Sequence, residues 1–372
     1  MGRFDPIGVN MQRLAEDSRD LTKHSLALRR IPSTDLVYVL PLPESPGAGD
    51  VLLARLEKIG KNTRIELADG RMANLYEGDL TAVVLGNRYA AEQFEGYAQV
   101  WGDACDLLSM GGLCGIMKSR HTGVAEPSRL RILGALGNAD GKRLRLSDYA
   151  LAPMPSAGRP KVVVVCGSSM DIGKTHTVCS LIIGLRKLGS RVASIKLTGT
   201  AAGRDTWSML DAGARPALDF LDGGLPSTYL CPLEQLMSLY ELLVGHAAAA
   251  GAEWVVIEIA DGVFQRETKS LLQCKKFTSS VDAWLYAARD APGVAGGVSA
   301  LRNWGLEPVA ISGRVSMSPL AMQETLNSTG VRCVTAVELQ AGDLNQSLIA
   351  RPPGLVGHPI PLPDAMMRAR EL

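Results

Sequence analysis

The groups best suited to chemistry in this 372-residue chain stand in VVVVCGSSMDIGKTHT, residues 162–177. A run of valines leads into Gly167, Ser168, Ser169, Met170, Asp171, Ile172, Gly173, Lys174, Thr175 and His176. A phosphate loop is written G-x-x-x-x-G-K-[ST]. Gly173, Lys174 and Thr175 match its end, whereas its first glycine would fall at Ser168 and instead stands one position earlier, at Gly167. The physics tolerates that shift. Successive backbone N–H groups and the N-terminus of the following helix still form an anion cradle. A lysine ammonium there neutralises the β- and γ-phosphates, and a threonine hydroxyl ligates Mg2+. Residues 167–176 are therefore expected to hold a nucleoside triphosphate, with Lys174 catalytic and Thr175 a metal ligand.

Other polar residues punctuate apolar runs. Glu258 ends the run WVVIE, where a carboxylate is costly unless it meets a cation. A role on Mg2+ or in positioning water is expected for it. Lys196 ends SIK at what should be the carboxyl edge of a strand, where open α/β sheets bind ligands. It is expected to touch phosphate or substrate, with Thr198 and Gly199 beyond it on the substrate side. Asp205 and Asp211 follow in a polar segment, and Asp205 is preferred as the further metal ligand. Asp219 and Asp222, in DFLDGGLPSTY, could line a substrate site, although Asp-Gly-Gly and Pro226 equally describe a turn. In the first half, GNRYA and KSRHTG place Arg88, Tyr89, Arg120 and His121 in turns, where Arg88 and Arg120 could grip a carboxylate or phosphate. His24, His176, His246 and His358 are isolated, so no transition-metal site is indicated.

These residues need elements to position them. Residues 1–35 read as a polar, partly amphipathic helix with Ile7, Met11, Leu14 and Leu21 on one face. Short strands and turn signals then follow to about 150, with Asp69-Gly70 as a hairpin turn, and predict a small barrel or sandwich. A Pro- and Gly-containing linker, LAPMPSAGRP, spans 151–160. Beyond it, strands alternate with amphipathic helices, which predicts a doubly wound, mostly parallel α/β sheet. The expected division is 1–155 (N-terminal helix plus β-rich domain), 156–350 (phosphate-loop domain) and 351–372 (C-terminal tail). VDAWLYA, EPVAISG and RCVTAVEL are read as its later strands.

Bulk properties bound the function. A formal net charge of +1 gives no electrostatic reason to expect nucleic acid or an anionic membrane as partner. No apolar stretch approaches the ~18 residues of a membrane span. The seven cysteines form no C-x-x-C pair and read as reduced small hydrophobes of a cytoplasmic protein. A small-molecule substrate and a homodimer are expected.

The displaced glycine carries a family resemblance. G-S-S-M-D-I-G-K-T resembles the G-T-D-x-x-V-G-K-T loop of dethiobiotin synthetase and its relatives, in the SIMIBI class of phosphate-loop proteins. SIKLTGT (194–200) is similar to that family's K-P-V-x-x-G segment, which aligns Lys196, and VVIEIADG (255–262) to V-E-G-A-G-G, which aligns Glu258. GRDTWSMLDAG stands where the family carries an acidic metal ligand. The order of segments also resembles the DUF1611 family, which includes a proposed D-amino-acid N-acyltransferase. The resemblance covers roughly 160–345. Ser169 replaces the loop Asp, Asp261 replaces a glycine, and residues 1–155 have no counterpart in dethiobiotin synthetase. SGRVSMSP (312–319) lies where this class meets the base; it lacks the N-K-x-D pattern that reads guanine, which favours ATP over GTP. The resemblance implies an ATP- and Mg2+-dependent enzyme that phosphorylates a carboxylate or carbamate for ligation or cyclisation. The alternatives are a nucleotide-switch GTPase or ATPase assisting cofactor or metal insertion, and an N-acyltransferase using a CoA-type donor.

Overall fold

Val162 to Val165 are β-branched and wholly buried, as expected of a strand covered on both faces of a parallel sheet. In the computed structural model they form the strand Lys161–Gly167, central in a six-stranded sheet. The structure describes residues 11–155 and 158–342, together with 344, 346 and 348. The expected tail, 351–372, lies outside the described residues. The chain divides into two compact units. The first comprises Met1–Pro153, Thr198–Asp205 and Asp219–Pro232; the second comprises Met154–Leu197, Thr206–Leu218 and Leu233–Leu372. Two segments inside the range 156–350 thus belong to the first unit.

The six-stranded sheet has the strand order Ala217–Asp219, Val192–Lys196, Trp254–Glu258, Lys161–Gly167, Ala283–Ala287, Ala310–Ser312, all of it in the second unit except the terminal Asp219. Lys161–Gly167 runs parallel to Trp254–Glu258 on one side and Ala283–Ala287 on the other. The helix Lys174–Lys187 presents Val178, Leu181, Ile182 and Leu185 to the sheet, the i, i+3, i+4, i+7 stripe of an amphipathic helix, and these join Val163, Val165 and Val256 in one core. The architecture is an α/β doubly wound, mostly parallel sheet of phosphate-loop type. One expected strand is absent. In RCVTAVEL only Cys333 makes an isolated bridge, to Ile311, and Ala336–Ala341 is helical. Thr335 caps that helix in a capping box with Glu338, and this local hydrogen bonding outweighs the β propensity of Val334 and Thr335.

The first unit is β-rich. Val51–Lys58, Leu80–Leu85, Leu113–Arg120, Ala104–Leu107 and Ser128–Gly137 each pair with the next, and the last pairs back with the first. The ring closes a small barrel, which leaves these strands no open edge. Leu52, Leu56, Val83, Leu85, Leu107 and Leu130 pack in its core. Arg64–Glu66 and Met72–Asn74 form a hairpin, with Gly70 at φ 87 in its turn. The long N-terminal helix expected over 1–35 is not found among the described residues. Gln12–Arg13 and Lys23–His24 are strands, and only Glu16–Leu21 is α-helical. The consecutive residues Leu26, Ala27 and Leu28 are all buried, which one face of an α-helix cannot achieve; they form a 3-10 turn instead. Among the described residues no helix is long and apolar enough to cross a membrane.

Candidate phosphate-binding site

The displaced glycine has a steric cause. A Cβ on Gly167 would lie 2.6 Å from the Ala287 carbonyl oxygen of the adjacent strand and 2.5 Å from Ile172 Cδ1. Only glycine fits as the strand turns into the loop. Ser168 donates its N–H to the same Ala287 carbonyl at 3.0 Å, so it extends the sheet by one residue before the loop departs. Asp171 is left-handed at φ 52, and Gly173, at φ 100, forms the N-terminal boundary of the helix Lys174–Lys187. Gly313, just past the strand Ala310–Ser312, presses on this turn: Arg314 N–H donates to the Ile172 carbonyl at 2.9 Å. Helix geometry directs the first-turn N–H groups outward past the loop, the arrangement that favours an anion.

Side chains converge on this helix start. Lys174 is buried, and its Nζ donates to the Ser169 carbonyl at 2.5 Å, across the concave side of the loop. Thr175 Oγ1 donates to Glu258 Oε1 at 3.2 Å. Thr177 Oγ1 donates to the Gly173 carbonyl at 3.0 Å and stands 3.2 Å from Ser312 Oγ. Glu258 and Lys196 are both buried, end adjacent parallel strands and sit directly in register; Leu197 N–H donates to the Glu258 carbonyl at 2.9 Å. Beyond Glu258 the chain folds back on the loop. Asp261 is left-handed at φ 62, a Cβ on Gly262 would meet the Ser168 carbonyl oxygen at 2.3 Å, and Val263 N–H donates to the Gly167 carbonyl at 2.9 Å.

Opposite charges meet at the site. Burial pushes the Lys174 ammonium below its ordinary pKa; Glu258 and Asp261 draw it back up, and Lys196 opposes them. Two ammonium groups and two carboxylates therefore act on one loop. Burial raises the Cys166 thiol to about 12, so this cysteine beside the loop is a packing residue and not a nucleophile. Met170 and Ile172 belong to the loop; Ile172 is buried, while Ser169 and His176 are exposed.

The remaining expected residues are grouped differently by the fold. Thr198, Gly199, Asp205, Asp219, Asp222, Arg88 and Arg120 all belong to the first unit. Gly199 N–H donates to Thr228 Oγ1 at 2.9 Å. Asp205 stands in the first turn of the helix Arg204–Asp211, and Asp211 is exposed at its end. Arg88 has its guanidinium 5.6 Å from the centre of the Phe94 ring, and Arg120 donates to Glu126 at 2.9 Å and to the Val124 carbonyl at 2.6 Å. Asp219 and Asp222 are buried around Arg29, which forks onto Asp219 at 3.0 and 2.9 Å and reaches Asp222 at 2.7 Å. Burial raises the Asp222 carboxyl despite Arg29, with Asp219 adding to the rise. Arg29 was not singled out from the sequence, and neither was Asp261 as a charged neighbour of Lys174. The glycine-like setting of Asp261 was the available signal for the latter.

No protein-family model matches this chain, and no curated protein does. Among solved structures, the chain is similar to a DUF1611 family protein from Anabaena variabilis at 16% identity, covering 54% of this chain and 63% of that one, with a TM-score of 0.38. It is similar to chloroplast FtsY from Physcomitrella patens at 14% identity, covering 50% and 62%, with a TM-score of 0.34. It is also similar to the signal recognition particle receptor FtsY from Elizabethkingia anophelis at 16% identity, covering 41% and 50%, with a TM-score of 0.31. The chain thus spans about half to just under two thirds of the length of these proteins.

Proposed function

We propose that this chain binds ATP with Mg2+ and phosphorylates a small molecule at a carboxylate or carbamate, activating that group for ligation or ring closure. The observation that supports this reading is the meeting of Lys174, Thr175 and Glu258 at the start of one helix, with the Thr175 hydroxyl 3.2 Å from the Glu258 carboxylate. Mg2+ takes oxygen ligands and commonly uses one or two carboxylates plus substrate phosphates. A hydroxyl and a carboxylate oxygen at the phosphate loop suit it. Thr175 and Glu258 would share such a cation with the triphosphate. When bound, Mg2+ would neutralise charge on the phosphate oxygens.

The rest of the chemistry falls to the chain. Lys174 now holds the Ser169 carbonyl and would exchange that oxygen for phosphate oxygens, keeping the loop closed around them. Glu258 orients the Thr175 hydroxyl. Lys196, in register with Glu258, is suited to receive charge on the transferred phosphoryl group or to hold the acceptor's carboxylate. The base would lie toward 312–319, where Met317 is exposed beyond the Gly313 contact with the loop and where no guanine-reading pattern stands.

Nucleotide titration and phosphate-release assays with pools of small carboxylic acids and amines test the reading. Lys174→Ala should weaken triphosphate affinity by about tenfold or more, the scale of a charge-assisted hydrogen bond. Affinity within a few fold of the parent would refute the phosphate-loop assignment. Lys196→Ala should lower turnover by about 10²-fold with nucleotide affinity little changed. Tight nucleotide binding without phosphate release in any pool would favour a switch protein. Tight binding of a CoA-type donor would favour acyl transfer.

A further inference from the structure

Asp261 has no role in the chemistry described so far, yet its turn is clamped against the loop. Its backbone is left-handed at φ 62, a conformation that glycine adopts readily and other residues resist. The turn is clamped on both sides. Thr268 Oγ1 donates to the Ala260 carbonyl at 3.1 Å, and Val263 N–H donates to the Gly167 carbonyl at 2.9 Å. Between them Gly262 lies so close to Ser168 that a Cβ would stand 2.3 Å from its carbonyl oxygen. Asp261 cannot move away from the phosphate loop without breaking these contacts. Lys174, the cation that faces the phosphates, feels both Asp261 and Glu258 as attractive charges. Lys196 acts on it in the opposite sense, and Asp171 adds a further carboxylate within the loop itself.

We propose that Asp261 is a specificity-determining residue that makes triphosphate capture conditional on a divalent cation. The proposal rests on the nucleotide-binding reading of the loop. Without Asp261 the turn against the loop would carry one negative charge fewer and would repel a metal-free triphosphate less. With Asp261 in place, a bare triphosphate meets its carboxylate beside those of Glu258 and Asp171, whereas a triphosphate that arrives with Mg2+ brings its own compensation.

Asp261→Asn tests this, because asparagine tolerates the left-handed backbone and preserves shape while removing the charge. Asp261→Gly removes the charge and relaxes the backbone. Equilibrium affinity for ATP would be measured twice for each protein, in Mg2+ and in excess EDTA, with thermal melts as a folding control. Both variants should bind metal-free ATP about tenfold more tightly than the parent, the effect of removing one nearby like charge in a half-buried site. Their affinity in Mg2+ should change by much less, so the ratio of the two constants collapses. Loss of affinity in Mg2+ with no gain in EDTA would make Asp261 a direct metal ligand and overturn the proposal. So would an unchanged ratio, or a gain confined to Asp261→Gly, which would assign the effect to backbone strain. If the parent and Lys174→Ala bind ATP equally under both conditions, the phosphate-loop reading itself falls, and this proposal with it.

Discussion

Gly262→Ala should damage the phosphate loop although it adds a single methyl group. The ideal Cβ position lies 2.3 Å from the Ser168 carbonyl oxygen, 3.0 Å from the Ser168 carbonyl carbon and 3.5 Å from Ser169 Cα. Comfortable contact between non-bonded heavy atoms begins near ~3.5 Å, so the turn or the loop must retreat by about 1 Å. The obstructing atoms are backbone and cannot swing aside as a side chain would. A retreat of that size stretches the Val263 N–H bond to the Gly167 carbonyl, now 2.9 Å, beyond useful length. Overpacking costs ~1–3 kcal/mol and the lost hydrogen bond a further ~1 kcal/mol, so a loss of about 2–4 kcal/mol in unfolding free energy is expected. Triphosphate affinity should also fall, because the displaced residues are those that shape the cradle. Denaturant unfolding and nucleotide titration on the same preparations measure both effects. Gly296→Ala is the matched control: it stands inside the helix Ala291–Asn303 with nothing within 4 Å of its Cβ position. That substitution should stabilise by about 0.5–1 kcal/mol through helix propensity and reduced unfolded-chain entropy. A Gly262→Ala protein with parental stability and parental nucleotide affinity would refute the close approach of this turn to the loop.

Arg29→Ala should destabilise the first unit by about 3–5 kcal/mol in denaturant unfolding, because it leaves the buried carboxylates of Asp219 and Asp222 without their shared fork. Arg29→Lys should recover only part of that loss, since an ammonium cannot reproduce the bidentate contact; full recovery would argue against the fork geometry. For Glu338, burial would raise the carboxyl, but the Thr335 N–H and hydroxyl and the Arg332 guanidinium outweigh it and hold the group below its ordinary value of 4.5. A carboxyl depressed in the folded state contributes stability that is fully present above its unfolded pKa and is lost as pH falls through the folded one. Glu338→Gln should therefore reduce stability by about 0.5–1 kcal/mol at pH 7, the scale of a helix cap. The difference should shrink in unfolding curves taken below the ordinary carboxylate range. A difference that persists unchanged in acid would exclude the ionised capping box as its origin.

The second unit is legible because its signals are local. A valine run, a Gly-Lys-Thr turn and the stripe Val178, Leu181, Ile182, Leu185 each lie within a few turns or strands of one another, and backbone geometry alone converts them into strand, loop and helix. Strand–loop–helix order then places the loop at the carboxyl edge of the sheet, and the carboxyl ends of Lys196 and Glu258 follow, because parallel strands in register end together. Where that reading departs from the structure, a competing local signal was present. Thr335 and Glu338 spell the T-x-x-E of a capping box, and the β-branched residues before it drew the assignment to a strand.

The illegible part is of another kind. Arg29 meets Asp219 across 190 positions of sequence and Asp222 across 193, and no periodicity links them. Asp-Gly-Gly is compatible with a turn, a ligand site or an ion-pair partner, and only the chain's path chooses among them. That choice bears on function. A carboxylate open to solvent can wait for a substrate, whereas Asp219 is occupied by the Arg29 fork and by the Leu221 N–H at 2.8 Å, and Asp222 by Arg29 and the Asp219 N–H at 2.9 Å. Buried and hydrogen-bonded on these sides, the pair serves to hold the 219–222 turn in place, and a substrate could claim either carboxylate only by displacing a guanidinium already desolvated against it. The acidic residues with charge acting on the phosphate-loop lysine are instead Glu258 and Asp261, which the fold brings to one sheet edge by a single strand end and its following turn.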